Sequence, residues 1–369
     1  FFFFKQKTAY EIPKRDWSSD VCSSDLASIG LAGDGATVRA GTMAKLTFNG
    51  QPGLTLAPGA GAYSDPVTLS FAAREKLALS LEVAEASDAS THHVGLRINY
   101  WSPGQRAGDA SGAGWEPLPE VPPLNTGQWP YYWVAALEVQ SAEATGSIVM
   151  FADSITDGRC STRDAQGTVQ PNLDQRWGDV VIARLADYAN KRAKTDNTFR
   201  KAVAIASISG NRVLGRGNGP SAFERLERDV LDRAGLTHVV FFMGTNDIAG
   251  GATAAQVTTG LQQIIALVKS RGVKIIGVTM VPRGRPAKET GWNGAMEKER
   301  LAANEWIRSK SGFDGVIDFD RMMKDSPVVK QADGSMAPAM PAAWNCDYTH
   351  PNAAGYKAMG EFVDLNVFR

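Results

Sequence analysis

Ile148-Val149-Met150-Phe151-Ala152-Asp153-Ser154-Ile155-Thr156-Asp157-Gly158 sets a short, wholly apolar run directly against a polar, glycine-closed turn. A strand of that kind suits a parallel sheet buried on both faces. The same grammar returns downstream at Ala202-Val203-Ala204-Ile205, Val239-Val240-Phe241-Phe242, Ile275-Ile276-Gly277-Val278 and Val316-Ile317. Segments of helical period lie between and after them, at 176–192, 221–234, 253–271, 295–310 and 353–366. Thr253 is placed to cap the third, whose stripe is Leu261, Ile264, Ile265 and Val268. Strand alternating with helix predicts an α/β domain with a doubly wound parallel sheet, whose ligands bind beyond the carboxyl ends of the strands.

Residues 27–130 read differently. Ala44–Phe48, Val67–Phe71, Leu77–Val83 and Val94–Tyr100 carry period-2 patterns between turn signals such as Asn49-Gly50 and Asp65-Pro66. They predict a small antiparallel sandwich, with 102–130 as loop and linker, before a domain over 131–369. Residues 16–26, Asp-Trp-Ser-Ser-Asp-Val-Cys-Ser-Ser-Asp-Leu, resemble an in-frame translation of a sequencing-library adapter. Residues 1–26 are therefore set aside as an artefact without regular structure, and the native start and its export signal are not expected within them.

Composition narrows the function. The 369 residues hold 39 basic and 39 acidic side chains, so there is no basic stripe to attract nucleic acid or an anionic membrane. No apolar run approaches the ~20 residues of a spanning helix. A small or neutral partner fits this balance, and oligomeric state is not legible.

Four segments follow strands, where the fold places a site: Ala152–Gly158, Ser209-Gly210-Asn211-Arg212, Gly244-Thr245-Asn246-Asp247 and Asp347-Tyr348-Thr349-His350-Pro351-Asn352. A hydroxyl nucleophile needs a base, and the base needs a carboxylate to fix its tautomer. Ser154, His350 and Asp347 supply these, the last two within one turn. The backbone N–H groups of Ser154 and Gly210 and the amide of Asn246 can face a developing oxyanion. Asp157 and Asp247 read as loop-bracing acceptors, Asp153 and Asn211 as supporting residues, and Arg212 as a brace or a substrate contact. His92 and His93 read as surface residues and His238 as structural. No metal-ligand cluster and no phosphate-binding glycine loop is apparent, so no metal or cofactor is expected.

Ser154, Gly210, Asn246 and His350, in this order, resemble the four blocks of the SGNH (GDSL-like) hydrolases over residues 146–366. The match implies a flavodoxin-like sheet and a serine esterase working through an acyl-enzyme. Ser209–Arg212, Asp318-Phe319-Asp320 and His350–Tyr356 are similar to a subgroup around a xylan-cluster acylesterase, in which a β domain precedes the hydrolase. The resemblance implies short acyl groups, as acetyl or aryl esters on small molecules or polysaccharides, and a β domain lacking its earliest strands. An acyltransferase with the same triad, or an inactive carbohydrate-binding protein, are the alternatives. Family members usually have glycine where this chain has Ala152, which is harmless if its φ is negative. If the triad assembles, the loops of Cys160 and Cys346 converge. They are then a disulfide, favouring an exported periplasmic or extracellular protein, or two unpaired thiols. Trp101, Trp115, Trp129 and Tyr131 could form a sugar platform, but aromatic residues in such a segment are expected to pack between domains.

Overall fold

In a computed structural model, five strands form one parallel sheet: β1 (Ser147–Ala152), β2 (Ala202–Ile205), β3 (Leu236–Phe242), β4 (Lys274–Val278) and β5 (Gly315–Ile317). Their spatial order is β2-β1-β3-β4-β5, every neighbouring pair parallel. The structure describes residues 2–5, 22–24, 26–57, 60–83, 91–118, 129–192, 196–309 and 311–369. Strand order reverses between β1 and β3, so their carboxyl ends flank the crevice where such sheets bind ligands.

Successive side chains on a strand point to opposite faces, and each face has its own core. Val239 and Phe241 of β3 join Val149, Phe151 and Ile275 in one cluster; Val240 and Phe242 join Ile148, Met150 and Ile276 in the other. The first face is covered by α2 (Ala222–Leu226), α3 (Ala254–Ser270) and α4 (Gly294–Ser309), through Leu226, Leu261, Ile264, Val268 and Ile307. The second lies under α1 (Trp177–Arg192) and α5 (Ala353–Phe362), through Trp177, Val181, Leu185, Tyr356 and Met359. Thr253 caps α3 in a capping box, its hydroxyl accepting from Gln256 N while Gln256 Oε1 accepts from Thr253 N.

Two expected helices are divided. The segment 221–234 is α-helical as far as Leu226 and then widens into a π turn, Glu227–Leu231, closed by Asp232 N donating to Glu227 O. The segment 353–366 ends as a helix at Phe362. A separate 3₁₀ turn, Leu365–Phe368, follows, capped by Asp364.

The chain divides into residues 1–142 and 143–369. The boundary lies beyond the expected 130/131 because Val134–Leu137 is a strand of the first unit, paired antiparallel with Phe2–Lys5. The reading of 1–26 as lacking regular structure is corrected at two places. Phe2–Lys5 also pairs with Gly61–Tyr63, and Cys22–Ser24 pairs with Leu54–Leu56. The unit carries separate small antiparallel sheets. One has Ala27–Leu31 between Ala44–Leu46 and Leu77–Leu81, over a core of Ala27, Ile29, Leu46 and Phe48. Val67–Phe71 forms no strand, and of the stretch 94–100 only Tyr100 enters one, Tyr100–Trp101, paired with Glu116–Pro117. Trp101 and Tyr131 are 45% and 37% exposed, contrary to the packing expected of them.

Phe241 is 2% exposed and meets Phe151 edge-on at 5.8 Å. Phe241→Ala should lower unfolding free energy by about 3–5 kcal/mol, read as a lower urea midpoint at unchanged slope.

Candidate active site

At the end of β1 the chain enters a single helical turn, Ser154–Asp157. Asp153 caps it by accepting from Ile155 N, and Gly158 closes it at φ 96°. Ala152 is extended and absent from the positive-φ positions, so the methyl in place of the family's glycine adds no strain.

The second block is pinned to the first. Asp157 Oδ2 accepts from both the N–H and the hydroxyl of Ser209, each at 2.8 Å. Gly210 follows at φ 77°, a conformation that favours glycine. Asn211 is fully buried. Its amide donates to Pro220 O at 2.7 Å, and its Oδ1 accepts from Arg225 Nε at 3.0 Å and Nη2 at 2.8 Å. The third block is pinned to the second by Asp247, whose carboxylate accepts from Val213 N and Leu214 N, both at 2.9 Å. Asn246 Nδ2 donates to Asn211 O at 3.0 Å and lies 3.5 Å from Asp153 Oδ2. Arg212 rests against Gly250, where a Cβ would meet its guanidinium at 3.1 Å, and attracts Asp247. It is therefore a brace of this loop.

The fourth block brings two more groups to Ser154. His350 Nε2 stands 2.8 Å from Ser154 Oγ, and His350 Nδ1 stands 2.8 and 3.0 Å from the two oxygens of Asp347. Asp347 Oδ1 also accepts from the N–H groups of Thr349 and His350, at 3.1 and 2.8 Å. Tyr348, between them, is at φ 61°. Cys160 and Cys346 are joined by a disulfide across a sequence separation of 186, with Cα atoms 6.4 Å apart. The bridge ties the loop after Ser154 to the turn before Asp347. Cys160 Sγ, Asp347 and His350 gather donor atoms within 4.8 Å, but the sulfur is bonded in the disulfide and the other two are hydrogen-bonded to each other.

Neither Ser154 N nor Gly210 N donates to a protein acceptor among the described residues. Two free N–H groups and a neighbouring carboxamide, all at strand ends, can receive a developing negative charge. Burial lowers the His350 imidazole below its ordinary value, with the Arg159 and Arg283 charges in the same direction and Asp347 opposing. Desolvation would raise Asp347, but its hydrogen bonds and the His350 charge hold it far below the ordinary carboxylate value. Burial pushes Asp153 up to about 7, against Ile155 N–H and the Arg283 charge.

The sequence of this site matches the model of the GDSL-like lipase/acylhydrolase family over residues 153–358. The chain belongs to that family. This GDSL-like protein is accordingly a carboxylic ester hydrolase in class. Solved structures similar to it include the lipase/acylhydrolase from Enterococcus faecalis, at 21% identity, covering 59% of this chain and 92% of that one with a TM-score of 0.41. Another is Axe2, an acetylxylan esterase from Geobacillus stearothermophilus, at 17% identity, covering 61% and 94% with a TM-score of 0.42. A comparison with curated protein sequences gives no match.

Sequence reading missed Arg225 and Arg283. Arg225 is fully buried on α2, its guanidinium 4.0 Å over the Phe151 ring, donating to Ala152 O and Ala206 O as well as to Asn211. Its signal was a charge on the apolar stripe of a helix. Arg283 follows β4, and the strand-end rule used for the other blocks would have found it. It donates to Thr245 Oγ1 and Thr349 Oγ1, each at 3.0 Å, neighbours of Asn246 and His350. His238 is buried with Nδ1 2.8 Å from Thr237 Oγ1 and lies edge-on to Phe368, a packing role far along the chain from these blocks.

A histidine lowered in the fold is protonated there at lower pH than when unfolded. The His350 imidazole should therefore titrate below 6.5 in NMR spectra of its ring nitrogens. Its contribution to stability is complete above 6.5 and is lost as pH falls toward the folded-state midpoint. Titration at or above 6.5 would contradict the burial described.

Proposed function

We propose that this hydrolase cleaves short-chain carboxylic esters through an acyl-enzyme on Ser154. The observation that carries the reading is the series Ser154 Oγ, His350 Nε2, His350 Nδ1, Asp347, with contacts of 2.8 Å at each link. Neutral His350 takes the Ser154 proton as Oγ attacks the ester carbonyl, and Asp347 keeps the imidazole in the tautomer that accepts at Nε2. The N–H groups of Ser154 and Gly210 and the Asn246 amide receive the oxyanion. Asn246 is pre-oriented by Asn211 O, so little rearrangement is needed. The imidazolium then protonates the leaving alcohol, and water, deprotonated by His350, releases the acid.

Acetyl and aryl esters, including acetyl groups on polysaccharides, are the proposed substrates. Export from the cytoplasm accords with the Cys160–Cys346 bridge, since disulfides persist in oxidising compartments.

The wild-type protein should hydrolyse p-nitrophenyl acetate, and Ser154→Ala should lower kcat by on the order of 10⁴-fold or more. Equal rates from the two folded proteins would sink the proposal. Asn246→Ala should cost about 10²-fold in kcat with a smaller change in KM, because the amide is used mainly in the transition state. A loss carried wholly by KM would remove Asn246 from the oxyanion hole.

A further inference from the structure

Beside the Ser154–His350 pair lies a group of hydrogen-bond donors that the proposed chemistry does not use. Arg283 and Arg285 flank Gly284, whose N–H donates to Pro338 O at 2.8 Å and whose Cβ position lies 2.6 Å from that oxygen. From this locked segment both guanidinium groups reach one hydroxyl: Arg283 Nη2 donates to Thr349 Oγ1 at 3.0 Å and Arg285 Nη2 at 2.9 Å. A hydroxyl oxygen has two acceptor positions, and here both are filled by cations. Its own hydrogen then has to find an acceptor, and none is present among the described residues.

The rest of the group is also rich in donors. Arg283 is 7% exposed, stacks 4.6 Å from the Trp292 ring centre, and leaves its Nε without a partner. Among the described residues neither Arg283 nor Arg285 makes an ion pair with a carboxylate. Their remaining bonds go to Thr245 and to Thr290 O. Carboxylates act on them from a distance: Asp153 and Asp347 on Arg283, Asp347 and Glu289 on Arg285. Asp347 is committed to His350 and Asp153 caps the Ser154 turn. Two guanidinium groups held this close, one of them buried, are costly without an anion. Burial and the Arg285 charge already lower Arg283 to about 10.

We propose that Arg283, Arg285 and Thr349 form a carboxylate subsite that takes the alcohol portion of the ester, an acidic alcohol such as a uronic acid residue. Its assignment to the alcohol portion rests on the esterase reading above: His350, next in the chain to Thr349, hands its proton to the leaving alcohol. A carboxylate there accepts from the Thr349 hydroxyl and from guanidinium N–H groups, satisfying donors that are otherwise unmatched. Arg285, the less buried of the two, meets the ligand first, while Arg283 links the subsite to Thr245.

The test is calorimetric titration of the full chain, disulfide intact, with methyl glucuronide and methyl glucoside, which differ by the carboxylate. The glucuronide should bind at least about tenfold more tightly, and high salt should erode that advantage. Arg285→Gln should abolish it, Arg285→Lys should keep part of it as a point charge, and Thr349→Val should reduce it. Equal affinity for the two saccharides, no measurable glucuronide binding, or an advantage unchanged in both Arg285→Gln and Thr349→Val would overturn the subsite. Labelling of Ser154 by a fluorophosphonate judges the esterase reading separately. Selective glucuronide binding by a protein whose Ser154 resists the reagent would keep the subsite and overturn the esterase.

Discussion

A strand buried on both faces has no room for polar side chains, and that constraint organises the hydrolase unit. From Ile148 to Ala152 every residue is within 1% of full burial, so the first group able to act chemically is the one after the strand stops. The same holds for β3, whose buried run ends at Met243 before Gly244-Thr245-Asn246-Asp247. Polar function is thus displaced to a single edge of the sheet. The parallel arrangement brings the blocks together there, because all five strands end on that side.

An edge made of loops would be loose unless something fixed the loops to one another. Here buried carboxylates do so. Asp157 holds Ser209, Asp247 holds Val213 and Leu214, and Asp153 holds the Ser154 turn. Each accepts main-chain N–H groups, which lets a carboxylate sit in the interior. Arg225 adds the complementary grip on carbonyls, taking those of Ala152 and Ala206. The result is a rigid floor on which Asn246 receives its orientation second-hand, through the backbone of Asn211.

The strands, the strand-end blocks and the identity of the Ser154, Asp347 and His350 cluster were legible because each leaves a local mark, a period or a short motif. The first unit was less so. Its strands are two to five residues long, and pairings such as Phe2–Lys5 with Val134–Leu137 join segments with no sequence signal in common. The break of the helix at Leu226 was hidden for the opposite reason, since a π turn keeps nearly the same apolar spacing as the helix it extends. Arg283 and Arg285 escaped because their meaning lies in a shared partner, Thr349, far along the chain. No window of sequence shows two donors converging on one oxygen.

Ser154 and His350 are 196 residues apart, one at the end of the first strand of the sheet and the other just before its last long helix. The hydrogen bond between them therefore cannot form on a ribosome until nearly the whole unit has been made. A nascent or prematurely ended chain can fold β1 to β3 and still present an isolated, unactivated serine. Hydrolytic power is in this way deferred to the finished molecule, and the Cys160–Cys346 bridge then fastens the two ends of that interval together.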